Sequence, residues 1–360
     1  MIGVRFLPHF KKNPYQAELA EALIHEDMVV HFASETTISY RIDTNAPLPD
    51  ILHLHWVSPL ILGTGNDSSM KTLSNSLMFL RSVSHLKWCS VPVVWTVHNI
   101  LSHERFHHRI ELFSRRFLAQ LCDALIVHCH QAEKEVKKMY WVSGSKIRII
   151  PHGSYDKSYP NKVSRTKARK ILGLSSELMY LIFGQIRRYK GLSKAIDAYL
   201  SLKLRQPSAL FIVGSPTDKQ YLHELRSICD GLPNIRLIPR YVPDHEVQIF
   251  MNAADIIVCP YEDILTSGMV ILAMSFGKIT VAPAIGCIPE TTKKYRAVLY
   301  NPTERCGLFN AMKKARMLSA QEASTFDTHL RTHVHCPPWT EVAKETRMVY
   351  LECLKKIKGS

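Results

Sequence analysis

The stretch MYLIFGQIRRYKGLSKAIDAY, Met179–Tyr199, decides how the rest of the chain is read. Five apolar residues run without a break into Gly184, the signature of a strand buried on both faces. A helical pattern begins after Gly191. Between them lie Arg187, Arg188 and Lys190. A guanidinium offers a two-pronged fork and an ammonium a point charge, so this loop at a strand end suits a diphosphate. It is neither a GxxxxGK[ST] loop nor GxGxxG. A merely exposed basic turn would not need Gly on both sides.

Working outward, strand-like runs alternate with helical patterns along the whole chain, which predicts α/β units around parallel sheets. Six runs precede Gly153: IGVRFL, MVVHFAS, ILHLHWV, VPVVWTVHN, ALIVHCH and KIRIIPHG. Six follow: MYLIFGQI, ALFIVGS, NIRLIPRYV, ADIIVCPY, ITVAPA and AVLYN. The polar stretch between them reads as a linker plus one basic helix. Two doubly wound, Rossmann-like domains facing a cleft are therefore expected, over 1–153 and 154–335. A last amphipathic helix, 336–360, follows a Pro-Pro break. In such sheets ligands sit at the carboxyl ends of strands. The helix predicted over 104–120 carries Phe106, Ile110, Phe113, Phe117 and Leu121 at three- and four-residue spacing, with Arg109, Arg115 and Arg116 elsewhere.

Composition narrows the classes. The 360 residues, 46% apolar and 21% charged, are ordinary globular material and enough for two domains. No apolar run approaches the roughly 18 residues that span a bilayer. The start, MIGVRFLPHFKK, reads as a first strand rather than a signal peptide, so a cytoplasmic location is expected. The nine scattered cysteines form no CxxC pair and read as buried free thiols. The net charge of +15 implies an anionic partner. No RRM, KH or helix-turn-helix pattern supports nucleic acid. An anionic membrane surface, at the inner face of the plasma membrane, is the other expected contact.

The strand ends hold the remaining candidates. After the first strand, Asn13 and Pro14 start a helix and bring Asn13 and Tyr15 to the ligand edge. His55 and Trp56 end the third strand, Trp56 as a stacking platform for a sugar ring. His98 ends the fourth, with His103 and Glu104 just beyond, and proton transfer suits a histidine there. With His107 these could suggest a metal, but the spacing is not HExxH, and none is expected. In PYEDILTSGMVILAMSFGK, Pro260–Lys278, Glu262, Asp263, Thr266, Ser267 and Gly268 lie between a buried strand and a buried helix. A helix N-terminus presents free N–H groups to phosphate, Gly268 permits close approach, and acidic side chains hold sugar hydroxyls. A plain N-cap would explain Ser267 alone.

GQIRRYKG, VPDHEVQIFMNAADIIVCPY, SGMVILAMSFGKITVAPAIGCIPE and the ending PWTEVAKETRMVYLECL together resemble a GT-B glycosyltransferase of the family-4 type, over essentially the full chain. The resemblance implies a nucleoside diphosphate sugar donor in the C-terminal domain and an acceptor against the N-terminal one. It implies no metal or other cofactor, and a last helix that returns to the N-terminal domain. The acceptor would be a hydroxyl, as on a lipid-linked saccharide in bacterial exopolysaccharide assembly. The diphosphate would be gripped by Lys190 with Arg187 or Arg188, and His98 would lie near the sugar. The family's two glutamates fall on Ile264 and Leu272 here. Glu262 or Asp263 can stand in for the first, and the stereochemical outcome stays open. Inversion would need a base, for which His98, His103 and Glu104 are candidates. Alternatives are a nucleotide-sugar epimerase of the same fold, or a non-catalytic protein that binds anions or nucleic acid.

Overall fold

A computed structural model describes residues 1–11, 13–32, 47–63, 67–103, 107–203, 207–324 and 336–358. Twelve strands, all in parallel pairings, form two sheets among them. The first holds β1 (Ile2–Leu7), β2 (Met28–Phe32), β3 (Ile51–Leu54), β4 (Val93–Thr96), β5 (Ala124–Val127) and β6 (Ile147–Ile149), in the order β2-β1-β3-β4-β5-β6. The second holds β7 (Leu178–Phe183), β8 (Ser208–Val213), β9 (Ile235–Ile238), β10 (Ile256–Val258), β11 (Ile279–Pro283) and β12 (Ala297–Tyr300), in the order β12-β11-β10-β7-β8-β9. β3, β4, β5, β8 and β10 are buried at every position, as near-continuous apolar runs lead one to expect. The doubly wound α/β fold read from the sequence is the one observed.

The chain divides into two compact units, Met1–Gly153 with Pro337–Ser360, and Ser154–Cys336. The helix Trp339–Lys358 belongs to the first unit, where it packs on the helix Pro14–Ile24. The Tyr350 hydroxyl lies 2.6 Å from His53 Nδ1, and Arg148 pairs with Glu352 at 2.7 Å. The Trp339 ring lies against Gly153, where an added Cβ would sit 2.5 Å from it.

In each sheet the order reverses beside its first strand, between β1 and β3 and between β7 and β10. At such a switch point the crossovers on either side run to opposite faces, which opens a crevice at the carboxyl ends of the strands. Helix starts fit the same plan. Asn13 accepts from the Tyr15 N–H at 3.1 Å with Pro14 first in the helix, and Ser267 accepts from the Val270 N–H at 3.2 Å.

One helix reverses its expected faces. His108–Leu121 buries Glu111, Ser114, Arg115, Leu118 and Ala119, while Phe113 and Phe117 are 60% and 46% exposed. Apolar spacing pointed to Phe113 and Phe117 as the core face. What overrides it is a buried ion pair. Arg115 Nη2 lies 2.8 Å from Glu111 Oε1, and Ser58, Ser102, the Asn99 carbonyl and Tyr140 complete the set. A fully satisfied pair can occupy a core position that an unpaired charge cannot. Of the nine cysteines expected as buried free thiols, Cys122, Cys259 and Cys353 are so, Cys89, Cys229 and Cys336 are free but half-buried, Cys306 is free and exposed, and Cys129 and Cys287 are not free thiols.

Candidate active site

In the second unit, the loops leaving β7 and β10 meet at the switch point. Gly191 has φ +63°, and a Cβ there would lie 2.2 Å from the Pro260 carbonyl oxygen, so only glycine lets the loops touch. The Glu262 N–H donates to the Tyr189 carbonyl at 2.9 Å, and the Tyr189 and Tyr261 rings stack. Lys190 is 8% exposed, and its ammonium has no hydrogen-bond or ion-pair partner among the described residues. Burial pulls Lys190 down to about 8, with Cys259 opposing the fall and the Arg187 guanidinium adding to it. A Cβ on Gly184, whose φ is +99°, would sit 2.9 Å from the Lys190 Nζ.

Arg188 points elsewhere. Its two terminal nitrogens each lie 2.8 Å from a Glu224 oxygen, its Nε reaches Asp218, and its guanidinium covers the Tyr221 ring. Its fork is therefore filled by surface carboxylates, whereas Arg187 adjoins Lys190. Ser267 is buried, caps its helix and donates to the Tyr261 hydroxyl at 3.1 Å. Its hydroxyl is thus engaged within the protein. The N–H groups of Gly268 and Met269 are the donors with no partner among the described residues. Thr266 donates to the Cys287 sulfur, Glu262 pairs with Lys194 at 2.7 Å, and Asp263 is exposed. Ile264 is half-buried and Leu272 buried, so neither position offers a carboxylate.

In the first unit, aromatic side chains from four strand ends and two helix starts converge. Tyr15, 2% exposed, makes ring contacts with His55, Trp56, His98, His128, His152 and Trp339. Trp56 stacks on His98 with centroids 3.9 Å apart. His55 Nδ1 lies 3.3 Å from His98 Nε2, and His128 Nε2 lies 3.4 Å from His98 Nδ1. His128 Nδ1 meets the Ile150 carbonyl at 2.9 Å. Burial lowers His53 and His152 to about 3, His128 to about 4 and His55 and His98 well below their usual range, so all five are neutral at pH 7. No group of three or more metal-ligating side chains in metal-holding geometry occurs among the described residues.

Comparison with known proteins adds the family. The model of "Glycosyl transferases group 1" matches residues 164–315, and that of "Glycosyltransferase Family 4" matches residues 74–154. The GDP-mannose:glycolipid 4-beta-D-mannosyltransferase of Xanthomonas campestris is 26% identical over 276 residues, covering 77% of this chain and 71% of that one. The chain is a GT-B glycosyltransferase of the family-4 type. Sucrose-phosphate synthase from Thermosynechococcus elongatus shares the fold with a TM-score of 0.71 and 18% identity, over 98% of this chain and 99% of that one. Anabaena HepE in complex with UDP-glucose does so at 0.64 and 16%, over 100% and 99%.

In this glycosyltransferase the structure joins Tyr15, His55, Trp56 and His98 in one cluster. Asn13 stands beside the cluster as a helix cap. His103 is half-buried, and Glu104 lies outside the described residues. The sequence reading passed over His53, His128 and His152. The rule that singled out His98, a histidine at the end of a buried strand, applies equally to His128 and His152.

Proposed function

We propose that this glycosyltransferase holds the diphosphate of its donor between Arg187, Lys190 and the N–H groups of Gly268 and Met269. The observation that carries the reading is the buried Lys190 ammonium with no anionic partner among the described residues. An ammonium out of water needs a compensating negative charge, and a bound diphosphate supplies one. The same charges stabilise the diphosphate as it leaves, the step at which preorganised donors contribute most. They fill the role a divalent cation would otherwise take, so the reaction is proposed to need no metal.

The acceptor is proposed to be a hydroxyl of a glycolipid, docked at the aromatic cluster of the first unit. The Xanthomonas relative is named for GDP-mannose and a glycolipid, which makes these the first substrates to try. An anionic membrane surface is proposed to bring the lipid. Phe113 and Phe117 stand exposed on one helix, and Met70, Leu73 and Leu77 are exposed at three- and four-residue spacing on Ser69–Trp88, which packs beside it. Arg109 and Arg81 are exposed on the same two helices. Apolar side chains with nearby basic ones suit an anionic interface. No helix among the described residues is long and apolar enough to cross a membrane.

Thermal unfolding tests the donor site. GDP, UDP, ADP and TDP are each compared with the monophosphate. One diphosphate is expected to stabilise by about 2.7 kcal/mol at about 100 times its dissociation constant. No stabilisation by any of the four would end this reading.

A further inference from the structure

The imidazole chain of the first unit has a direction. A carbonyl oxygen only accepts, so neutral His128 must carry its proton on Nδ1, where it faces Ile150 at 2.9 Å. Its Nε2 is then a lone pair, and His98 must donate to it from Nδ1. The His98 Nε2 is in turn a lone pair, and His55 must donate to it from Nδ1. One acceptor is left over. His55 Nε2 is fully buried, in a side chain that is 0% exposed, and has no hydrogen-bond partner among the described residues. A buried acceptor left without a donor is unfavourable, and such a group in a native structure calls for an explanation. We propose that the Ile150 carbonyl sets this single proton order, that His128 is thereby a positioning residue for His98, and that His55 Nε2 accepts one O–H hydrogen.

The O–H comes either from an acceptor substrate hydroxyl or from a resident water, and the substrate arm rests on the glycosyltransferase reading above. The proton order does not. Protein labelled in its histidine nitrogens is observed by two-bond proton–nitrogen NMR, with the three rings identified by loss of signal in His55→Gln, His98→Gln and His128→Gln. All three are expected to be neutral with the proton on Nδ1. A proton on Nε2 of His55 or His98 overturns the proposal.

Turnover then tests the positioning role. His128→Gln keeps an acceptor for the His98 proton, and His128→Leu does not. We expect kcat at least tenfold higher in the glutamine variant, with the donor KM equal in both; equal kcat values overturn the role. Should His128→Leu fail to fold, His128→Phe takes its place. For the source of the hydrogen, His55→Phe removes the lone pair. A kcat loss of about a hundredfold, the lower end for proton-handling groups, with donor-induced thermal stabilisation intact, identifies a substrate hydroxyl. A loss of less than tenfold identifies a resident water. If the wild-type enzyme transfers no sugar at all, the functional reading fails while the spectrum still decides the proton order.

Discussion

Replacing Lys190 with methionine should make the empty protein more stable and the enzyme inactive. Methionine nearly matches the lysine in length and needs no counter-charge. Burial lowers Lys190 from 10.5 to about 8. At about 1.4 kcal/mol per unit, keeping the folded protein charged at neutral pH costs about 3 kcal/mol. The sign follows from proton binding. Unfolded Lys190 keeps its proton up to about 10.5, and folded Lys190 loses it near 8. Between these values the unfolded chain binds more protons, so wild-type stability rises with pH across that window. Lys190→Met removes both the cost and the slope. At roughly 2–4 °C per kcal/mol for a unit of this size, the ligand-free variant should melt several degrees above wild type at pH 7, the two converging towards pH 10. The variant should gain nothing from the diphosphate that stabilises wild type. Scanning calorimetry from pH 7 to pH 10, with and without that diphosphate, reads all three effects. A variant that melts at or below wild type at pH 7 and still responds to diphosphate refutes the reasoning.

Other outcomes follow from the same geometry. Arg187→Ala should lower kcat/KM by at least a hundredfold, and Arg188→Ala, which only releases Glu224 and Asp218 at the surface, by less than threefold; steady-state assays separate them. Arg115→Leu leaves the Glu111 carboxylate buried and unpaired and should destabilise the protein by about 3–5 kcal/mol in urea unfolding. EDTA at millimolar concentration should leave turnover unchanged, and a loss restored by magnesium would remove the proposed metal independence. In flotation assays, protein should rise with vesicles containing phosphatidylglycerol but not with pure phosphatidylcholine, and Phe113→Ser with Phe117→Ser should abolish the difference.

The sheets were legible because a parallel strand covered on both faces is written as a near-continuous apolar run, as in Ala124–Val127 and Ile256–Val258. The basic loop was legible because glycines at 184 and 191 bracket it. The choice between Arg187 and Arg188 was not, since what turns Arg188 away is Glu224, on another helix. The faces of His108–Leu121 were misread for a similar reason. Glu111 and Arg115 look solvent-facing until Ser58, Ser102 and Tyr140 are brought around them by the fold. Local spacing reports local partners, and both the open choice and the misread faces turn on partners supplied from farther along the chain. Ser267 could be read either way from its neighbours, and the Tyr261 hydroxyl decides for the cap.

The placement of Trp339–Lys358 in the first unit also bears on biosynthesis. His53 emerges from the ribosome before the second unit, and the Tyr350 hydroxyl that meets it is made only after that whole unit. At about 5–20 residues per second, translating the second unit between them takes an interval of roughly 10–40 s. During it the first sheet exists without the helix that covers Pro14–Ile24, and the second unit, continuous in sequence, is free to fold ahead of it. The half of the enzyme that is translated first is thus the half completed last.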